Sequence, residues 1–298
     1  MSTALADLLT FQVDDRTVDS SAIVYRGSIS PTFTIGPKVH GGSLQMMVGA
    51  AARAALIELT SADADPTLLA GVTPIAIASD YLAAADPAEV ELAVRVIKRG
   101  RTVSLVRVEV TQHDRVMVSS TVTLGRADSG EPHHRRLVEF DGLPPRPTDD
   151  AVAIGDSPLG DVMHVGSALE LALDPAWFPA LTGDTGEPAI RGWTRPRDGD
   201  AQPPTMAADF PVLVCDVSPP VVMNLGLFGW APTVQLTTYV RRLPAPGIDG
   251  NGWLRFAATS TEVGQGMFAE DHVVVDETGA LVAQSRQLAL IPARPSGQ

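Results

Sequence analysis

The second half of the sequence repeats the pattern of the first half, and this duplication strongly limits how the chain can fold. Four segments of the first half have counterparts of the same character, in the same order, in the second half. The paired ranges are 73–87 with 231–247, 89–101 with 252–266, 102–114 with 267–279, and 115–125 with 280–291. Because this repeat is far longer than a solenoid repeat, it predicts two similar folding units rather than an array.

Each unit is predicted to contain a helix followed by antiparallel strands. Over residues 42–59 the apolar residues recur with the i, i+3, i+4 spacing of a half-buried helix, at Leu44, Met47, Val48, Ala51 and Ala55. Residues 203–220 occupy the corresponding place in the second unit. The strand candidates alternate apolar and polar residues, and the sequence "QHDR" predicts a hairpin turn between two of them.

The composition changes between the two units. Residues 127–160 are rich in proline, glycine and charge, as in "EPHHRR" and "LPPRP", which is typical of a connection that runs over the surface. We therefore divide the chain into a first unit at residues 1–126, a linker at 127–160 and a second unit at 161–298.

Charge and cysteine content limit the partners of the protein. The 298 residues include 35 acidic and 22 basic side chains, for a net charge of −13, so binding to a phosphate backbone is not expected. The single cysteine, Cys215, cannot form an internal disulfide. The first residues lack a signal-peptide pattern, and no apolar run reaches the roughly 18 residues of a membrane span. A cytoplasmic protein is therefore predicted.

A long helix of small residues, introduced by His40-Gly41-Gly42 and followed by antiparallel strands, resembles the hotdog fold. Two tandem copies resemble the double-hotdog acyl-CoA thioesterases of the thioesterase II type, from about Phe33 to Ile291. The matching segments are "HGG", "GRTVSLVRVEV", "GWAPTVQLT" and "GALVAQSRQLAL". The resemblance implies an α+β protein in which two hotdog units, each a long central helix wrapped by a curved antiparallel sheet, form an intramolecular pseudo-dimer. Whether the protein forms a homo-oligomer stays open.

The resemblance also implies a site shared by the two units. In such enzymes an Asp, a Thr or Ser, and a Gln position a water molecule, and by position these are Asp216, Thr233 and Gln287. Opposite them, His40, Gly41 and Gly42 would lie near the substrate carbonyl. The implied substrate is an acyl-CoA, and no cofactor or metal is expected.

Elementary chemistry agrees with these roles. Backbone N–H groups at a helix start carry partial positive charge and can polarise a thioester carbonyl. Glycine at positions 41 and 42 would let that carbonyl approach closely. Asp216 can serve as a general base toward water, and Thr233 and Gln287 can hold the water by hydrogen bonds.

The residue pattern adds independent support for a single site. Gln287 shares a strand face with Ala283, Ser285 and Ala289, so this amide must find polar partners on a small-residue face. The counterparts of Asp216, Thr233 and Gln287 in the first unit fall near Ala50, Ile75 and Thr121. The first unit therefore lacks the polar set, and one working site is predicted.

Other interpretations remain open at this point. Asp216, close to Pro219 and Pro220, also fits a turn acid. The protein could bind acyl-CoA without catalysis, since the hotdog fold carries both kinds of function. A hotdog enoyl-CoA hydratase is a further alternative, because Asp156, Asp161 and His164 resemble its Asp–His pair.

One departure from the family pattern concerns CoA binding. Many relatives of this type have an aromatic-Leu-Arg-Pro sequence where this chain reads "YLAAADP". Other basic residues would then have to bind the CoA phosphates. The candidates are Lys98, Arg99, Arg101, Arg241 and Arg242.

Overall fold

The fold is dominated by one thirteen-stranded antiparallel sheet. The computed structural model describes residues 3–14, 21–60, 69–197, 202–245 and 252–292. The strands of the first half are β1 (Gln12–Val13), β2 (Ala22–Ser28), β3 (Thr34–Ile35), β4 (Lys38–Val39), β5 (Val72–Tyr81), β6 (Glu89–Lys98), β7 (Ser104–Gln112) and β8 (Arg115–Arg126). Those of the second half are β9 (Val152–Ala153), β10 (Leu169–Leu173), β11 (Ala189–Pro196), β12 (Thr233–Val240), β13 (Leu254–Thr259), β14 (Met267–Val275) and β15 (Leu281–Leu290).

The strand order runs outward from the centre in the same way on both sides. The complete order is β1-β2-β6-β7-β8-β5-β12-β15-β14-β13-β11-β10-β9, while β3 and β4 form a separate pair. The two halves meet where β5 pairs with β12, with Leu236 opposite Ser79. The duplicated sequence therefore corresponds to a duplicated order of strands in one continuous sheet.

Three α-helices accompany the sheet in the described part of the chain, besides several short 3-10 helices: α1 (Ala4–Leu8), α2 (Gly41–Glu58) and α3 (Met206–Val214). The predicted helix at 42–59 is thus confirmed within one residue at each end. Helix α2 is buried over most of its circumference because it contacts α3 as well as β5, β6, β7 and β8. Its alanines and glycines permit this close packing. None of the three helices is long and apolar enough to cross a membrane.

Helix α3 is half as long as α2. Nine residues are helical, and Cys215 ends the helix before the Pro219-Pro220 pair. The predicted second helical segment at 203–220 is thus shortened at both ends, and the N–H groups of Asp216 and Val217 bond the carbonyls of Leu213 and Val214 in a tighter turn ahead of the prolines. This early end places Asp216 in the turn that follows α3 instead of on the helix itself.

Part of the predicted linker takes part in the folded core. Phe140 and Leu143 are buried against Trp193 and other apolar residues of the second half. The guanidinium of Arg255 donates a hydrogen bond to the carbonyl oxygen of Leu143 at 2.8 Å. Further along, β9 pairs with β10. The range 127–160 is therefore a partly packed segment, not only a surface connection.

Two matching pairs of β-bulges give the structural correspondence between the halves. Ile75 is the extra residue between β5 and β8, and Val234 is the extra residue between β12 and β15. Likewise, Met117 interrupts the pairing of β8 with β7, and Val282 that of β15 with β14. Aligning these bulges matches Gln287 with Val122 and Thr233 with Pro74, each one residue away from the counterpart expected from the sequence.

A buried polar cluster joins the halves at the sheet centre. Gln45 of α2 is fully buried and donates hydrogen bonds to Ser79 Oγ at 3.2 Å and to the Leu236 carbonyl at 3.0 Å. Its side-chain oxygen accepts from Thr238 at 2.6 Å. Because these partners come from both central strands, Gln45 fixes the position of helix α2 over the junction.

Candidate active site

A cavity of about 710 Å³, here called the central cavity, lies where the two halves meet. Most of its wall is apolar, and it includes Phe228 and Trp230, which are also 56% and 43% exposed to solvent. Polar side chains in the wall come from both halves: His40, Tyr81, Asp216, Ser218, Thr233, Glu270 and Gln287. An apolar cavity with a few converging polar groups is the usual form of a small-molecule site.

Asp216 lies against the amino terminus of helix α2. Its Oδ2 accepts the Gly42 N–H at 2.7 Å, a contact between residues 174 positions apart. The helix dipole favours a carboxylate at this place. The other oxygen, Oδ1, accepts no hydrogen bond from the described part of the chain. Asp216 thus keeps one carboxylate oxygen available on the wall of the central cavity.

Burial shapes the acidity of Asp216. Its side chain is 8% exposed, and desolvation raises the pKa of the carboxyl, while His40 and the Gly42 N–H act in the opposite direction. A carboxylate that is partly desolvated is a stronger base than one in water. Asp216 therefore combines position and basicity suited to accepting a proton.

His40 supports the Asp216 turn. Its Nδ1 accepts the Ser43 N–H at 3.2 Å, which caps helix α2, so Nε2 carries the ring hydrogen. Nε2 donates this hydrogen to the main-chain carbonyl of Asp216 at 2.7 Å. Both ring nitrogens are therefore engaged, and His40 holds the helix start to the turn. His40 also lies in the wall of the central cavity, and its predicted place near a substrate carbonyl stays a prediction.

The two glycines are required by close packing. A Cβ at Gly42 would lie 2.8 Å from the Leu213 carbonyl oxygen and 2.9 Å from Asp216 Cβ, and one at Gly41 would lie 2.8 Å from Asp216 Oδ2. The sequence suggested that glycine here makes room for a substrate. The structure shows that the room is taken by the Asp216 turn.

The N–H groups of Gly41 and Gly42 differ in whether they are available to a ligand. Because Gly42 donates to Asp216, its N–H is not available to a ligand in this arrangement. The Gly41 N–H has no acceptor among the described residues, and Gly41 lines the central cavity. Tyr81 donates to the Gly41 carbonyl at 2.8 Å and so fixes the following peptide, which carries the Gly42 N–H. Gly41 therefore offers an N–H without an acceptor in the described part of the chain, at a residue that lines the cavity.

Thr233 and Gln287 are brought together by the pairing of β12 with β15. The Thr233 hydroxyl lies 2.9 Å from Gln287 Oε1, and both residues line the central cavity. The predicted inward face of β15 is confirmed, since Ser285, Gln287 and Ala289 are buried while Arg286 is exposed. Five of the six residues predicted for the site thus line one cavity, and the sixth, Gly42, donates a hydrogen bond to Asp216 in its wall.

Sequence reasoning missed a second polar group beside Gln287. Glu270 and His272 of β14 are each 1% exposed, and Gln287 Nε2 donates to Glu270 Oε1 at 3.0 Å. Burial raises the pKa of Glu270 to about 8 and lowers that of His272 to about 3. The sequence "FAEDHVV" already indicated these buried polar groups, because Glu270 and His272 share the inward strand face with Phe268 and Val274.

The alignment of the bulges sharpens the asymmetry between the halves. Glu270 pairs with Gln287, and the matching pair of the first half is Val106 with Val122. His272 likewise corresponds to Val108. The first half thus carries valines where the second half carries the buried polar groups.

The remaining candidates lie elsewhere. Asp156, Asp161 and His164 are exposed, and none of the three lines the central cavity. The described lining of the central cavity contains no lysine or arginine, so the five basic candidates for CoA phosphates are not part of it. Among the described residues, no group of three or more His, Cys, Asp or Glu side chains is arranged to hold a metal ion.

Sequence comparison identifies relatives over nearly the whole chain. Family models described as the acyl-CoA thioesterase N-terminal and C-terminal domains match residues 29–125 and 140–291. Uncharacterized proteins from Mycobacterium tuberculosis and Mycobacterium bovis are each 36% identical over 293 residues, covering 91% of this chain and 92% of their own length.

Solved structures show the same fold. A protein assigned as a thioesterase II from Thermobifida fusca superposes with a TM-score of 0.76 at 25% identity, covering 98% of both chains. A hotdog-fold protein of unknown function from Alicyclobacillus acidocaldarius has a TM-score of 0.74 at 17% identity, covering 99% of this chain and 100% of its own. The chain therefore belongs to the acyl-CoA thioesterase family and has the hotdog fold of its thioesterase II members.

Proposed function

We propose that the protein hydrolyses acyl-CoA thioesters to a free acid and CoA at the central cavity. The observation that carries this proposal is the contact between the halves, in which Asp216 of one half is bonded to the helix start of the other. The Thr233–Gln287 pair borders the same apolar cavity. In this proposal the units at 1–126 and 161–298 act as an intramolecular pseudo-dimer in the cytoplasm, with one working site.

The proposed reaction is a direct attack by water. Water held by Asp216 and Thr233 adds its oxygen to the thioester carbonyl carbon while Asp216 takes a proton, a general-base role. The tetrahedral intermediate then collapses with cleavage of the C–S bond. The CoA sulfur leaves with that electron pair and takes the proton from Asp216, so that the carboxyl is ready for another cycle.

The developing oxyanion needs a donor, and the Gly41 N–H is suited to that role. It lies at the positive end of α2 and faces the cavity, where a well-aimed donor contributes about 3–4 kcal/mol. Gly42 contributes indirectly, because its N–H orients Asp216. His40 contributes by holding the carbonyl of Asp216.

The test is release of free CoA thiol from a panel of saturated acyl-CoAs of increasing chain length. We expect turnover by the purified protein with at least one of them, at a kcat within the usual range of about 1–10³ s⁻¹. Tight binding without thiol release would instead support an acyl-CoA-binding protein. Loss of conjugated absorbance from an enoyl-CoA, abolished by His164→Ala, would support a hydratase. Either result would overturn the proposal.

Replacing Gly42 with alanine should lower activity because of packing. Alanine normally favours a helix over glycine by about 1 kcal/mol, but here its Cβ would press on backbone and move the Asp216 turn. A displacement of about 1 Å can cost 10²-fold in rate. We expect a loss of kcat of about that size, measured by thiol release.

Gly155→Ala is the matched control, because a Cβ there meets nothing within 4 Å. It should leave kcat unchanged. Wild-type kcat in Gly42→Ala would show that the turn tolerates displacement and that its close packing has no part in catalysis.

A further inference from the structure

Glu270 receives hydrogen bonds from several directions inside the second half. Its Oε2 accepts the Val221 N–H at 2.9 Å, and its Oε1 accepts Gln287 Nε2 at 3.0 Å. Ser218 Oγ lies 3.5 Å from Oε1, and His272 Nε2 lies 2.9 Å from Ser218 Oγ. The Glu270 side chain is 1% exposed and is surrounded by these hydrogen-bond donors, so the fold provides a buried acceptor at this position.

This acceptor determines which way the Gln287 amide faces. In its ionised form Glu270 can only accept, so the amide must then present Nε2 to Glu270 and its oxygen to the other side. On that side, Gln287 Oε1 lies 2.9 Å from the Thr233 hydroxyl. An amide oxygen can only accept, so the Thr233 hydroxyl must donate its single hydrogen to Gln287.

We infer that Glu270 is a positioning residue which sets the direction of the hydrogen-bond chain Thr233–Gln287–Glu270 and thereby the orientation of the attacking water. This inference rests on the proposed thioester hydrolysis. With its hydrogen committed to Gln287, Thr233 offers only lone pairs to the cavity. A water between Thr233 and Asp216 therefore donates one hydrogen to each, which leaves its own lone pair free for the carbonyl carbon.

The charges around Glu270 give the direction of a pH effect. Asp216, from the turn after α3, raises the pKa of Glu270, and His272 on the same strand is kept neutral by burial. His40 Nε2 lies 3.5 Å from Asp216 Oδ2 on the other side of the turn. Burial places the pKa of Glu270 at about 8, so the carboxylate becomes the main form as pH rises through that value. The kcat should rise over the same interval.

The decisive variants exchange the carboxylate and the amide. In Glu270→Gln the new amide has one oxygen, which the Val221 N–H retains, so its NH₂ group faces Gln287. Gln287 must then rotate, which turns its Nε2 toward Thr233. Above pH 8, where Glu270 of the wild type is ionised, we expect kcat to fall by up to about 10²-fold with little change in KM, because geometry at the reacting water is lost. The rise of kcat near pH 8 should disappear.

The reciprocal double variant Glu270→Gln/Gln287→Glu restores the direction. The carboxylate at position 287 accepts from both Thr233 and the new amide, so Thr233 again donates. We expect its kcat to recover to within about tenfold of wild type, a favourable coupling of the size seen between contacting residues. Glu262→Gln, at an exposed position ahead of β14, is the control and should match wild type.

The outcomes separate this inference from the proposed function. Thiol release by wild type that persists unchanged in Glu270→Gln, or a double variant worse than both single variants, overturns the role of Glu270 alone. A wild type that releases no thiol overturns the proposed function. In that event the orientation is tested by NMR of ¹⁵N-glutamine-labelled protein, with the Gln287 side-chain signals assigned by their loss in Gln287→Leu. They should move in Glu270→Gln and stay unchanged in Glu262→Gln, and signals that Glu270→Gln leaves in place overturn the inference.

Discussion

Replacing Asp216 with asparagine should lower kcat by about 10³-fold, within the range that a general base contributes. The asparagine side-chain oxygen can still accept the Gly42 N–H, so the turn after α3 keeps its position. What disappears is the basic oxygen that would take a proton from water. Thiol release under saturating substrate measures the effect, and substrate binding should be retained.

The matched control is Asp161→Asn, the same chemical change at an exposed aspartate outside the central cavity. Its kcat should equal that of wild type. If Asp216→Asn keeps its kcat within threefold of wild type while Gly42→Ala and Glu270→Gln lose activity, another group acts as the base. Glu270 would then be the next candidate, because it lines the same cavity.

The large elements of the fold could be predicted because local patterns and the duplication agree. Helix α2 follows from apolar spacing, and strands such as β7 follow from alternation. A helix cannot continue through Pro219 and Pro220, so the sequence could have predicted that α3 ends ahead of them. The packing of the linker residues Phe140 and Leu143 could not be predicted, because it depends on the second-half surface that they cover.

The site could be predicted only in part, for a physical reason. Which residues share a cavity follows from strand register and helix placement, and the resemblance supplied both for Asp216, Thr233 and Gln287. Which N–H groups stay available depends on distances of tenths of an ångström. The hydrogen bond from the Gly42 N–H to Asp216, and those that occupy both ring nitrogens of His40, therefore became visible only in the structure.

The asymmetry of the halves has an energetic side as well. A buried glutamate, histidine and glutamine need partners, because an unsatisfied buried polar group costs about 1–3 kcal/mol. In the second half Gln287 donates directly to Glu270 and His272 Nε2 bonds Ser218, while His272 Nδ1 is buried without a partner in the described part of the chain. Val106, Val108 and Val122 of the first half are buried without that requirement. Keeping the polar set in one half only is consistent with a use for it there.

An ion pair between α2 and α3 should be the main electrostatic contribution to stability at the junction of the halves. Arg53 binds Asp209 through two hydrogen bonds of 2.6 Å, and Asp209 is 1% exposed. Arg53→Met should lower the free energy of unfolding by about 3–5 kcal/mol, because it leaves a buried carboxylate without its partner. Adding Asp209→Leu should recover most of that loss, since the buried charge is removed as well.

The loss caused by Arg53→Met should depend on pH in a defined direction. Burial raises the pKa of Asp209 above its ordinary value of 3.8, and Arg53 opposes that rise, so removing Arg53 raises the pKa further. Between the unfolded and folded pKa values the native state binds more protons, so stability falls as pH rises. Denaturant unfolding of the variant should therefore give nearly wild-type stability in acid and a growing deficit toward neutral pH. Arg286→Met is the control, because the exposed Arg286–Asp271 pair has the same two-bond geometry and should show no such deficit. A pH-independent deficit in Arg53→Met would mean that lost packing, not the uncompensated carboxylate, is what the variant measures.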